Sequence, residues 1–134
     1  MLVVDASSLC EVLLGGLRGA AVRDRLLDDP DHAAPHLVDV EVLGVVRREH
    51  LRGRLDGTVA RQALEAMTTW PGERFGHRLL FERAWELRDQ VRSYDAMYVA
   101  LAEALDATLV TTDLRLARAT GPRCPIVVPG SAAY

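Results

Sequence analysis

Lysine and asparagine are absent from this sequence, and Ile126 is its sole isoleucine. All 16 basic residues are arginines. These absences fit GC-rich coding sequence and by themselves carry no mechanistic weight. Cysteine is scarce: Cys10 and Cys124 stand alone, with no CxxC or Cys/His pairing, which argues against a disulfide framework and a zinc finger. Long hydrophobic runs are missing. The start, MLVVDASSLCEVLLGG, has no basic lead region, and Asp5 and Glu11 break its apolar stretch. It reads as neither a signal peptide nor a membrane span, so a soluble, cytoplasmic protein is expected. Positive charge is not in excess either, with 16 basic against 19 acidic residues and a net charge of -3. Holding nucleic acid by non-specific electrostatics alone generally takes a basic domain. Clustered acids that bind a metal can nonetheless mask a basic rim.

What is present is a globular balance, 49% apolar and 26% charged over 134 residues. That length suits one cored domain, residues 1–134, and is too short for two. Leu2 to Val4 is a short, unbroken apolar run, the mark of a strand buried on both faces in a parallel sheet. A helix is expected from about Ser7 to Leu14, stopped by Gly15-Gly16. Further helices are expected over 20–27, 37–51, 56–70 (with Asp56 as N-cap), 79–91, 93–105 (with Ser93 as N-cap) and 114–119. Brief strands are expected at 33–34, 74–77, 108–111 and 126–128, with a loose tail after Pro129. Short apolar strands alternating with helices define an α/β domain with a mostly parallel sheet.

Two acids fall at the carboxyl ends of expected strands. Asp5 follows Leu2-Val3-Val4, and Asp113 follows Leu109-Val110-Thr111-Thr112. Ligands of open α/β sheets bind outside those ends, so the two carboxylates converge if their strands are neighbours. The plainer reading of each is a helix N-cap. Two more acids resist a plain reading. Glu41 shares a helix face with Leu37, Val38, Gly44 and Val45, and Asp95 shares one with Tyr98, Val99 and Ala102. A carboxylate on an apolar face is costly unless compensated. Arg92 or Arg47 would compensate as an ion-pair partner; so would a cation. Glu11, Glu65, Glu82, Glu86 and Glu103 are expected in solvent.

Four carboxylates without convincing His or Cys company suit a hard ion with oxygen ligands, Mg²⁺ or Mn²⁺ rather than Zn²⁺. Such an ion orients a water, lowers its pKa and neutralises charge on a phosphodiester. Hydroxyls at Ser7, Thr111 and Thr112 are candidates to support the carboxylates from behind. Other constellations fail. His32 and His36 are four apart but separated by Pro35, which spoils helical zinc geometry. HExxH, GxSxG and Walker A sequences are absent, and Gly15-Gly16-Leu17-Arg18-Gly19 follows a helix rather than a strand.

Taken together, Val3-Val4-Asp5-Ala6-Ser7, the helix carrying Glu41, Tyr94-Asp95-Ala96-Met97-Tyr98-Val99-Ala100-Leu101-Ala102 and Leu109-Val110-Thr111-Thr112-Asp113-Leu114-Arg115-Leu116 resemble a PIN-domain ribonuclease. More narrowly, the chain is similar to VapC-type toxins of bacterial toxin–antitoxin pairs. The resemblance runs over nearly the whole chain and is least specific from about Arg52 to Arg78. It implies a three-layer α/β/α sandwich around a mostly parallel sheet of about five strands. It also implies that Asp5, Glu41, Asp95 and Asp113 are both catalytic and metal-binding, with Thr111 matching the family's threonine two residues before the last acid. The implied activity is metal-dependent endoribonuclease cleavage of RNA, by a homodimer inhibited by a small VapB-like antitoxin.

Two rivals stand beside this reading. One is a PIN-like module that holds RNA or protein without cutting; the intact acidic quartet argues against it. The other is an Asp-nucleophile phosphatase on an α/β scaffold. Such enzymes generally carry a second Asp where Ser7 stands and a later Lys, and this chain has neither.

Overall fold

The computed structural model describes residues 1–131. Its elements run β1 (Leu2–Val4), α1 (Ala6–Leu13), α2 (Gly19–Leu27), β2 (His32–Pro35), α3 (Leu37–Leu51), α4 (Gly57–Thr69) and β3 (Glu73–Phe75). A 3-10 turn (Arg78–Leu80) leads into α5 (Phe81–Glu86), followed by α6 (Ser93–Ala104), β4 (Thr108–Val110), α7 (Leu114–Arg118) and β5 (Ile126–Val127). The five strands form one parallel sheet in the order β3-β2-β1-β4-β5. Helices cover both faces, giving the expected three-layer sandwich: α1 packs on α2 and α3, α3 on α4, and α5 on α6, which lies against β1, β2 and β4.

The strand sequences explain this burial. Leu2, Val3 and Val4 are buried throughout, as are Ala33, Ala34, Leu109 and Val110. With no polar alternation, such segments are stable only between two helical layers. Glycines end two helices as their sequence positions suggested. Gly15 (φ 68) follows α1 and Gly53 (φ 74) follows α3, both in the left-handed region that a side chain disfavours. From β1 the chain builds outward through β2 to β3, then crosses back to place β4 on the other side of β1. The gap between β1 and β4 is therefore the topological switch point, where a crevice opens at the carboxyl ends of the strands. Val4 pairs with Val110 there, so Asp5 and Thr111 emerge side by side.

Three expectations need correction. The single helix over 79–91 is instead a 3-10 turn, the short α5 and a run of turns, with the Gln90 and Val91 amides both donating to the Leu87 carbonyl. Those turns still send Leu80, Leu87 and Val91 into the core, so the apolar spacing survives without a continuous helix. Ser93 is not an N-cap. It is the first helical residue of α6; Arg92 holds the cap position in extended conformation, without a side-chain cap, and the acid in the first turn is Asp95. The tail after Pro129 begins as a turn, with Ser131 Oγ donating to the Val128 carbonyl at 2.7 Å. The rest of that expected tail, residues 132–134, lies outside the described residues. Among the described residues, no helix is long and apolar enough to cross a membrane.

Candidate active site

Asp5 is the most constrained of the acids. It is 4% exposed. It caps α1, with Oδ1 accepting from the Ser8 amide at 2.9 Å and from Ser7 Oγ at 2.7 Å. Its Oδ2 accepts a short hydrogen bond from Thr111 Oγ1. Thr111, wholly buried at the end of β4, in turn accepts from the Asp113 amide at 3.1 Å. Ser7 Oγ accepts from the Thr112 amide at 3.2 Å, and Ser8 Oγ donates to the Val110 carbonyl at 3.1 Å. One hydroxyl network thus stitches the carboxyl ends of the two central strands together and aims Asp5. Of the three supporting hydroxyls expected, Ser7 and Thr111 touch Asp5 directly, whereas Thr112 contributes its backbone amide. Asp113 caps α7, its Oδ1 accepting from the Arg115 amide at 2.8 Å. Capping and site placement are therefore compatible, because a strand-to-helix turn at this edge needs an acceptor and faces the crevice as well.

The other two acids arrive from helices. Glu41, on α3, is partly buried, and its Oε1 accepts from the Tyr98 hydroxyl at 2.7 Å. Asp95 lies in the first turn of α6 and faces Asp113 across a cleft of about 170 Å³, which Arg92, Arg115 and Gln90 also line. The electrostatics tie the acids together. Burial pushes the Asp5 carboxyl up, and its hydrogen bonds to Thr111, Ser7 and Ser8 resist only in part. Burial raises Glu41 as well, opposed by the Tyr98 bond and reinforced by the charges of Asp5 and Asp95. Asp95 is pushed up to about 6, first by burial and then by Asp5 and Asp113, with Arg92 pulling the other way. Glu41 and Asp95 thus each sense two other members of the quartet.

What compensates them is not arginine. Among the described residues, none of the four acids forms an ion pair with Arg92, Arg47 or any other cation. Nor do three His, Cys, Asp or Glu side chains close on a single point, again among the described residues. The donor set is carboxylate oxygen: Asp95 and Asp113 line the open cleft, Glu41 lines a separate groove, and Asp5 is buried at the strand end. That suits an ion that dehydrates reluctantly and keeps several of its waters, as Mg²⁺ does, rather than one that demands a closed protein cage. His32 lies in β2 and His36 precedes α3, so the spacing that suggested zinc is not helical.

Two features of the site were not read from the sequence. Tyr98 is the largest wholly buried side chain and the hydrogen-bond partner of Glu41, 57 residues away. Arg115 joins Arg92, which the sequence had already set near the acids, on the rim of the acidic cleft. Glu103, expected in solvent, instead forms a bidentate pair with Arg83 (2.6 and 3.1 Å) and accepts from the Arg123 amide.

A doubly wound parallel sheet with mutually coupled acids at its switch point defines a class of protein, and the comparisons place the chain within it. The PIN domain profile matches residues 2–122. VapC ribonuclease Mb0985 of Mycobacterium bovis is 43% identical over 130 residues, 96% of this chain and 98% of that protein. Ribonuclease VapC1 of Mycobacterium tuberculosis is 43% identical over 125 residues, 92% and 94% of the two chains. The chain belongs to the PIN domain family and, within it, to the VapC ribonucleases. Solved structures agree on the fold. PAE2754 from Pyrobaculum aerophilum superposes with a TM-score of 0.71 at 24% identity, covering 93% of this chain and 81% of that one. VapBC2 from Rickettsia felis, bound to a DNA fragment from its promoter, gives 0.71 at 14% identity, covering 94% and 96%.

Proposed function

We propose that the acidic crevice of this chain is a divalent-cation site, with Mg²⁺ as its physiological ion and Mn²⁺ as a substitute, at which RNA is cut. Membership among the VapC ribonucleases makes the protein an endoribonuclease of the toxin–antitoxin class. The observation that carries the metal reading is the absence of cation partners for Asp5, Glu41, Asp95 and Asp113, among the described residues, beside a hydroxyl network that presets Asp5. Burial raises Asp5, Glu41 and Asp95, the charges of neighbouring acids add to it at Glu41 and Asp95, and a cation would relieve both effects.

Asp5, Glu41, Asp95 and Asp113 would hold the ion and its waters. A bound Mg²⁺ supplies a water of lowered pKa and neutralises charge on the phosphodiester. The protein's own part is positioning. Thr111 and Ser7 fix both oxygens of Asp5, so that carboxylate does not reorganise when substrate arrives. Asp95 and Asp113 face one another across the cleft and would orient such a water beside the phosphate. Arg92 and Arg115 line the same cleft and would supply positive charge for RNA phosphates.

Residues 1–134 act in this reading as a single PIN-like domain in the cytoplasm, restrained by a small VapB-like antitoxin. The homodimer is assigned to one outer face. Phe81 and Trp85 of α5, Tyr94 of α6 and Val40 of α3 are exposed apolar residues. The two grooves they line adjoin at Ser93 and Met97. The wild-type protein should elute as a dimer on a sizing column and Trp85→Glu as a monomer; a dimeric Trp85→Glu protein would remove the assignment.

The activity is tested by incubating purified protein with total cellular RNA and mapping the new ends. Ends are expected with Mg²⁺ and not with chelator. Equal cutting in chelator would refute the metal site, and no cutting under either condition would refute the activity.

A further inference from the structure

We propose that Tyr98 is a positioning residue, whose hydroxyl holds Glu41 in the orientation that serves the cation and its waters. The proposal rests on the metal reading above and deepens it.

Tyr98 is 1% exposed in the middle of α6. A phenylalanine would fill nearly the same space, so packing alone does not account for the oxygen. That oxygen has a definite use: it donates to Glu41 Oε1 at 2.7 Å, from α6 across to α3. The Ala6 amide lies within reach of the same oxygen, which sets the hydroxyl beside the turn carrying Asp5. The tether engages Glu41 Oε1 and leaves Oε2 outside that bond. A glutamate has three rotatable side-chain bonds, and here Asp5 and Asp95 repel it. Without a tether, the lowest-energy course for Glu41 is to swing away into water. Asp5 needs no such device, because Ser7, Ser8 and Thr111 already clamp it. The tyrosine gives the long acid on the neighbouring helix the restraint that serine and threonine give the short acid on the strand. Partners of this kind commonly change metal affinity about 10- to 100-fold when removed.

The test is calorimetric titration of Mn²⁺ into chelator-stripped protein, without RNA, for wild type, Tyr98→Phe, Glu41→Gln and the double variant. Tyr98→Phe is expected to keep a cooperative thermal melt and to bind Mn²⁺ about tenfold more weakly. Adding it to Glu41→Gln should cost little more, because the tether then has nothing to hold. In RNA cleavage, Tyr98→Phe should need more Mg²⁺ for half-maximal rate and recover most of its kcat at saturation. A purely structural tyrosine would lower the melting temperature and leave the Mn²⁺ titration unmoved. Unchanged affinity in Tyr98→Phe, or full additivity in the double variant, overturns the proposal while leaving the metal site intact. A wild-type protein that binds no Mn²⁺ overturns both. Should Tyr98→Phe fail to fold, wild-type protein labelled with 3-fluorotyrosine decides. Its Tyr98 resonance, assigned with Tyr94→Phe and Tyr134→Phe, should shift on Mg²⁺ addition, and an unmoved resonance overturns the proposal.

Discussion

The molecule treats two sets of acids in opposite ways. At the far side of α6, Glu103 is bound by both arms of Arg83 and by the Arg123 amide. On α3, Asp39 is bound by both arms of Arg74, whose remaining donors go to the carbonyls of Met67, Trp70 and Gly72. At the crevice, Asp5 receives hydroxyls and an amide and Glu41 a hydroxyl, Asp95 senses Arg92 only at a distance, and none of the three forms an arginine ion pair among the described residues. The proton affinities follow. Burial raises Glu103, yet the Arg83 and Arg123 bonds outweigh it and its pKa is lowered. At the crevice burial wins and the pKa values rise. Arginine was available in quantity, so leaving these acids unpaired marks them as a site rather than as structure. Perturbed carboxylates cluster where chemistry is done, because a cation or substrate completes them.

Four predictions press on this contrast, from the largest effect to the smallest. Asp5→Asn should lower the rate of RNA cleavage by about 100-fold or more, since it removes a charge from the cation's surroundings. It should leave the fold intact, because asparagine caps a helix as well as aspartate does. Wild-type cleavage by Asp5→Asn would return the residue to capping alone.

Asp95→Asn should stabilise the metal-free protein at pH 7 by up to about 2 kcal/mol, a few degrees in melting temperature, after discounting for partial exposure and for Arg92. The sign follows from linkage. The native carboxyl binds its proton at about 6 against an ordinary 3.8, so the native state holds more protons in that window. Stability should fall as pH rises from about 4 to 6 in chelator, and Asp95→Asn should flatten that slope. A metal-free wild type that gains stability across the window would contradict the assignment.

Glu103→Gln should do the reverse and destabilise by about 1 kcal/mol at pH 7, with no loss of Mg²⁺ response. Because its pKa is lowered below the ordinary 4.5, the contribution of Glu103 is present above that value and fades as pH falls below it. A Glu103→Gln protein that loses RNA cleavage without losing stability would erase the distinction between the two sets. The smallest expected effect is at Thr112, whose amide serves Ser7. Thr112→Ala should leave cleavage within about twofold of wild type, as expected of a side chain outside the Asp5 network.

The sequence carried the sheet and half of the site in plain form. An unbroken apolar triplet made β1 recognisable and a β-branched, apolar run made β4 so, and the acids that follow them fall at the carboxyl edge. Helix α3 was legible to the residue because glycine followed it and apolar spacing filled it. The helical acids were legible as anomalies, a charge on an apolar stripe, but their partners were not. Tyr98 reads locally as one more core aromatic, and only the packing of α6 on the sheet beside α3 turns its hydroxyl toward Glu41. Glu103 failed for the same reason: its local face looked solvent-bound, and Arg83 reaches it from a separate helix. The break in the expected helix over 79–91 was hidden because consecutive turns preserve the helical spacing of Leu80, Leu87 and Val91.

The most direct measurement is a set of thermal melts of chelator-stripped protein from zero to excess Mg²⁺, for wild type, Glu103→Gln and Asp5→Asn. A cation that binds only the native crevice must stabilise it by mass action. Wild type and Glu103→Gln should rise in parallel with Mg²⁺, and Asp5→Asn should stay flat. A wild-type melt unmoved by Mg²⁺, or an Asp5→Asn melt that climbs with it, would contradict the claim that these carboxylates are kept free of arginine for a metal.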